Sequence, residues 1–302
     1  VRIRLANAPV SWGVDYADDP ANPPWPTVLD GIAAAGYAHC ELGPVGYLPE
    51  EPAALTAELQ ARGLRVTGSF IFDHMHDPAQ RDRVLAVARR ACRFVAAADG
   101  THFVLVNHLV PERTAVAGVS AAGRRLRGAA FDEQVAGLRA VAAVAREAGL
   151  RPVLHPHAGT FVEYRDEIDA VLAAIPAAEL GLCIDTGHSA YAGVDPVALY
   201  EDYRDRCDYL HFKDVDAEVH ARVVAERIDF LSAVTSGVFT PLGRGVVDFP
   251  SLREALVRHG FDGAATVEQD VDPAVGPDPL GDAIRSLEYL RRVGLATEEV
   301  HP

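Results

Sequence analysis

Short β-rich runs recur along the chain with helical stretches between them, and this alternation constrains the fold more than any other feature of the sequence. The runs are Arg2 to Ala8, Ala38 to Leu42, Leu64 to Phe72, Thr101 to Asn107, Arg151 to His155, Leu182 to Asp185, Tyr209 to Phe212 and Ala264 to Glu268. Between them lie segments such as RDRVLAVARRACRFVAAAD and FDEQVAGLRAVAAVAREAG, whose apolar residues return at spacings of three and four while charges fill the other face. Parallel strands need crossover helices, so strand and helix in alternation predict a parallel sheet. Eight such repeats, without a long glycine fingerprint of the dinucleotide-binding kind, predict closure into a (β/α)8 TIM barrel.

The whole chain, 1–302, reads as one barrel domain with a loop insertion around 214–245 and a polar tail after Leu295. Within the insertion, Pro241 to Gly245 is expected to act as a lid. A formal net charge of -15 argues against a protein that grips phosphate backbones, so no nucleic-acid partner is expected; a neutral polyol is indifferent to that charge. Cys40, Cys92, Cys183 and Cys207 are far apart and lack CxxC spacing, which reads as four buried thiols in a reducing compartment. The first residues, VRIRLANAPVSWG, hold no apolar run of signal-peptide length, and no later stretch reaches membrane-spanning length. A cytoplasmic protein without a membrane partner is the expectation, and a homo-oligomer is left open.

Barrel active sites are assembled at the C-terminal ends of the strands. In this sequence those ends are strongly polar: Asn7 and Trp12, Glu41, Asp73 with His74 and His76, Asn107 with His108, His155 with His157, Asp185 with His188, His211 with Lys213 and Asp214, and Glu268 with Gln269 and Asp270. Seven of the twelve histidines fall there. Imidazoles mixed with carboxylates are the donor set of a divalent transition metal.

The pieces NAPVSWG, ELGPVGYLP, HPHAGTFVE, CIDTGHSAY, LHFKDV, GRGVVDF and VEQD, in this order, resemble the xylose-isomerase-like barrels, and within them the inosose dehydratases and their close relatives. The resemblance runs from about Asn7 to Asp270. It implies one divalent ion, with manganese or cobalt ahead of magnesium or zinc. It also implies a lyase that eliminates water from a keto-cyclitol in inositol catabolism through a metal-stabilised enediolate. A keto-sugar isomerase or epimerase needs the same intermediate, a 3-dehydroshikimate dehydratase is a further relative, and a subunit of a C-glycoside-cleaving complex is a rival of another class. The endonuclease branch is disfavoured by the charge and by too few extra ligands for a three-metal cluster. Asp185, His211 and Glu268 match the family's ligand positions directly. The fourth is a departure: many relatives carry glutamate where this chain has His155, and Glu163, eight residues on, is favoured to fill the place over His155 or His157.

Each of these residues also has a plainer reading. Asp185 suits a helix N-cap, and His211 suits a hydrogen-bonded core histidine. Strand alternation puts His211 and Lys213 on one face, where a buried lysine and histidine need anionic partners or a metal. Glu163 or Glu268 is the expected base, with Lys213 and His157 as candidates for the acid. Trp12 is expected as an apolar wall of the pocket, and Glu41, His74, Asn107, His155, His188 and Arg244 as contacts to a polyol or keto-sugar substrate.

Overall fold

The computed structural model describes residues 1–271 and 278–296. Eight parallel strands close into a barrel: β1 (Arg2–Asn7), β2 (His39–Leu42), β3 (Arg65–Asp73), β4 (His102–Asn107), β5 (Arg151–Leu154), β6 (Gly181–Asp185), β7 (Cys207–Phe212) and β8 (Asp262–Val267). Each strand pairs with its neighbours in chain order, and β8 closes on β1. Alternation along β4 shows how the core divides. Phe103 and Leu105 pack outward with Val84, Ala88 and Cys92 of the helix Arg81–Ala97, whereas Val104 and Val106 join Val153, Cys183 and Tyr209 in a second cluster. That division is the two-residue period of a strand covered on both faces.

All four cysteines are buried and unpaired. Among the described residues no helix is long and apolar enough to cross a membrane. The expected tail lies, from residue 297 on, outside the described residues.

The insertion after β7 is present, but its parts differ from expectation. Asp214–Val215 pairs antiparallel with Phe239–Thr240, and the helices Ala217–Glu226 and Phe230–Thr235 lie between them. Pro241 to Gly245, expected to act as a lid, does not line the cleft. The fully buried Asp214 carboxylate accepts the N–H groups of Val215, Gly243, Gly245 and Val247 at 2.9–3.0 Å, which ties this segment to the barrel. Such a cradle of amides replaces the water that a buried carboxylate loses. Gly245 permits it, since a Cβ there would lie 2.3 Å from Asp214 Oδ1. Over the barrel mouth leans the helix Phe230–Thr235, which lends Phe230, Leu231 and Val234 to the cleft.

Candidate metal centre

Register brings the strand ends together. Asp185 pairs with His211 across β6 and β7, His211 with Thr266 across β7 and β8, and the Glu268 amide donates to Phe212 O at 3.0 Å. His155, one residue beyond β5, donates its amide to Leu105 O. Four buried side chains, His155, Asp185, His211 and Glu268, thereby offer one ligand atom each within 4.8 Å of one another.

Hydrogen bonds on the far side of each imidazole fix which nitrogen keeps a lone pair. His155 Nδ1 donates to Pro156 O at 2.9 Å, leaving Nε2 at 3.4 Å from Asp185 Oδ2. His211 Nε2 donates to Glu41 Oε2 at 3.0 Å, leaving Nδ1 at 3.2 Å from Glu268 Oε2 and 3.8 Å from Asp185 Oδ2. The same Glu41 oxygen accepts from Tyr209 and Thr266 at 2.6 and 3.0 Å. Glu41 is therefore a support beneath His211, where substrate contact was expected. Carboxylates behind metal-ligating histidines hold the ring and its tautomer. Glu41→Gln is expected to weaken divalent-ion binding roughly tenfold to a hundredfold, as read by competition with a chromophoric chelator; unchanged affinity would mean that His211 is oriented by something else.

Asp185 reconciles two readings, one for each oxygen. Oδ1 caps the helix Thr186–Tyr191 by accepting from the His188 amide at 2.8 Å, and Oδ2 faces the cluster. Among the described residues, Asp185 Oδ2 and His211 Nδ1 are buried without a hydrogen-bond partner. Two converging orphan acceptors are costly unless a cation satisfies them, so the donor set fits a divalent ion with mixed nitrogen and oxygen ligands. Burial would raise the Asp185 carboxyl, but the Lys213 ammonium and the His188 and His155 rings outweigh it and hold it well below the usual carboxylate range.

Lys213 emerges beside the cluster. Its Nζ lies 3.4 Å from Asp185 Oδ2, 3.2 Å from Glu268 Oε2, 2.8 Å from Asp270 Oδ1 and 3.1 Å from His188 Nε2. The Thr186 hydroxyl donates to Lys213 O at 2.6 Å and accepts the Lys213 amide at 2.9 Å, which locks the DTGH turn to the end of β7. Burial opposes the charge on Lys213, yet Asp185, Asp270 and Glu268 raise its pKa well above the ordinary value.

A cleft of about 780 Å³, counting its open mouth, lies over this cluster. His155, His157, His211, Lys213, Glu268 and Asp270 supply its polar wall; Phe70, Phe72, Val106, Leu109 and the insertion helix supply an apolar one. His157 donates from Nδ1 to Ala158 O at 2.8 Å, so Nε2 keeps the lone pair. Burial, with His155 and Lys213 nearby, lowers its pKa to about 3.

Several expected contacts lie elsewhere. Glu163 is not in the cluster: it is buried, pairs with Arg113 at 3.2 Å, and accepts the Gly118 and Gly159 amides at 2.7 and 3.0 Å. His155 stands where Glu163 was favoured. Trp12 does not line the cleft; its indole N–H donates to Asn7 at 3.1 Å and its ring lies against Gly31, where a Cβ would come within 2.2 Å. Arg244 is exposed and away from the cleft. His74 stacks on His108 at 4.3 Å, and neither ring lines the cleft. Asn107 and His188 are buried behind the cleft wall, and the Asn107 amide has no hydrogen-bond partner among the described residues.

Sequence reasoning missed Asp15, Tyr16 and Arg113. Asp15 and Tyr16 reach the cleft from the loop after the SWG turn. The Asp15 side chain is open to the water of the cleft although protein crowds it on most sides. Crowding, then Asp270 and Glu268, raise its carboxyl above the usual carboxylate range against the pull of Lys213.

The family model for xylose isomerase-like TIM barrels matches residues 29–293. An inosose dehydratase of Geobacillus kaustophilus is 31% identical over an alignment covering 96% of this chain and 94% of that protein. Among solved structures, a D-allulose 3-epimerase from Methylomonas sp. superposes with a TM-score of 0.70 at 20% identity, covering 96% of this chain and 97% of that one. A xylose isomerase-like TIM barrel protein from Mycobacterium smegmatis, solved in complex with magnesium, superposes with a TM-score of 0.70 at 18% identity, covering 97% of this chain and 98% of that one. With a matching model over most of its length and a full-length relative above 30% identity, the chain belongs to the xylose isomerase-like TIM barrel family.

Proposed function

We propose that this protein, an enzyme of the dehydratase or epimerase type, removes water from a neutral keto-cyclitol of the inosose kind, with one divalent ion held by His155, Asp185, His211 and Glu268. The observation that carries the reading is the convergence of those four ligand atoms, two of them orphaned, with His155, His211 and Glu268 lining an open cleft. Full-length likeness to an inosose dehydratase supports the substrate class. An ion there would draw electrons from the ketone and stabilise the negative charge that builds on its oxygen as the adjacent C–H bond breaks. Manganese or cobalt suits a donor set divided between imidazole and carboxylate.

The chain's own groups do the rest. Lys213, kept positive by three carboxylates, adds a fixed charge beside the developing oxyanion. Glu268, ionised on the cleft wall, accepts the α-proton, and His157 Nε2 keeps its lone pair for a hydrogen bond from a substrate hydroxyl; Asp15, at the mouth, gives a proton to the departing β-hydroxyl. One C–H and one C–O bond break, one C=C bond forms, and one water leaves. The apolar wall of Phe70, Phe72 and Phe230 suits the C–H face of a ring. A cytoplasmic location is part of the same reading.

The test is a panel of cyclitol ketones, free ketoses and dehydroshikimate offered to metal-loaded protein, with products followed by mass. Loss of 18 mass units from a cyclitol ketone alone is expected. A product of unchanged mass from ketoses, with cyclitols inert, would replace the dehydratase by an epimerase.

A further inference from the structure

Beside the first cluster lies a second set of ligating atoms. His157, His188 and Asp270 also offer one donor atom each within 4.8 Å of one another. Lys213 stands between the two sets. Its ammonium reaches Asp185 and Glu268 on one side, at 3.4 and 3.2 Å, and Asp270 and His188 on the other, at 2.8 and 3.1 Å. The stem is held in that place. It crosses Gly187, where a Cβ would lie 2.6 to 3.1 Å from the Lys213 Cγ, Cβ and Cδ atoms, and the ammonium faces the Phe239 ring at 5.1 Å.

A positive centre shared between three carboxylates and an imidazole, two of those carboxylates turned also to the neighbouring cluster, is the environment of the second ion in a two-metal site. We propose that Lys213 is a covalently attached substitute for a second divalent ion, so that the protein takes one ion and excludes another from His157, His188 and Asp270. This rests on the reading of His155, Asp185, His211 and Glu268 as the first site. The consequence is a centre with two positive charges of different kinds, only one of which dissociates. An ammonium also donates hydrogen bonds, which a bare ion does not, and its attachment frees the second position from dependence on metal supply.

The experiment is metal stoichiometry after equilibrium dialysis of full-length, metal-stripped protein against cobalt and, separately, zinc, with bound metal measured by mass spectrometry. One equivalent is expected for the native chain, two for Lys213→Met, and one again for Lys213→Met combined with His188→Ala. His188→Ala alone, which leaves the lysine in place, is expected to keep its single equivalent, and this holds the proposal open to refutation if Lys213→Met does not fold. One equivalent in both the native chain and folded Lys213→Met would overturn the substitution by lysine and leave the first site standing. Two equivalents in the native chain, or loss of the single ion in His188→Ala, would also overturn it. No ion bound by the native chain would remove the first site itself.

Discussion

Asp185→Ala is expected to lower kcat/KM for dehydration by roughly a thousandfold, about 4 kcal/mol of transition-state stabilisation, and to lose the tightly bound ion. The magnitude follows from what the residue does in the fold. Its Oδ2 is a buried acceptor without a hydrogen-bond partner among the described residues, placed against His155 and Lys213. Its Oδ1 caps a short helix, so part of any loss comes from the turn that carries His188. Asp185→Asn separates the two effects. The amide oxygen keeps an acceptor for the cap while the negative charge is gone, so Asn is expected to retain the melting temperature better than Ala while activity stays low. Dehydration by Asp185→Ala within tenfold of the native rate would exclude this aspartate from the chemistry.

Arg113→Met is expected to cost about 3–5 kcal/mol of folding stability, the largest effect foreseen for a residue outside the cleft. Arg113 is wholly buried. Its guanidinium donates to Glu167 at 2.6 and 3.0 Å, to Glu163 at 3.2 Å and to Arg124 O at 2.8 Å, and its carbon lies 4.9 Å from the Tyr164 ring centre. Taking away the cation leaves two carboxylates facing each other without water, which is worse than never having buried the group. Adding Glu163→Gln to Arg113→Met is therefore expected to restore part of the loss, as read from urea unfolding. A change below about 1 kcal/mol in Arg113→Met would mean that the network is already open to solvent. Glu163→Gln alone is expected to leave the metal stoichiometry unchanged, since this carboxylate holds the His155 to Glu163 loop by its Gly159 amide instead of facing the ligand cluster.

The sequence made the strands legible because their burial has a simple period, and the eight runs fall on the eight barrel strands with ends shifted by a residue or two. Asp185, His211 and Glu268 were legible for a related reason: strand register decides where a strand-end side chain goes. Glu163 was not. It lies in a loop, and its partner Arg113 comes from the short helix Pro111–Thr114 some fifty residues earlier, a pairing that no local pattern encodes. His155, fixed by its amide bond to β4, was the residue that register alone would have chosen. Trp12 was misplaced because an aromatic after a strand can turn toward the cleft or the surrounding helices, and Gly31 opens room only on the helix side. Pro241 to Gly245 carries the composition of a mobile loop, but the amides that tie it down answer to Asp214, thirty residues away in places. Asp15 had no motif to mark it; its character comes from the crowding of the folded chain around it and then from the carboxylates of Asp270 and Glu268.

The central claim is that one dication binds where β5, β6, β7 and β8 end. Anomalous diffraction from crystals grown with manganese tests it most directly. The account predicts a single peak within bonding distance of His155 Nε2, Asp185 Oδ2, His211 Nδ1 and Glu268 Oε2; a peak bound instead by Glu163, or a metal-free cluster in protein that is fully active, would contradict it.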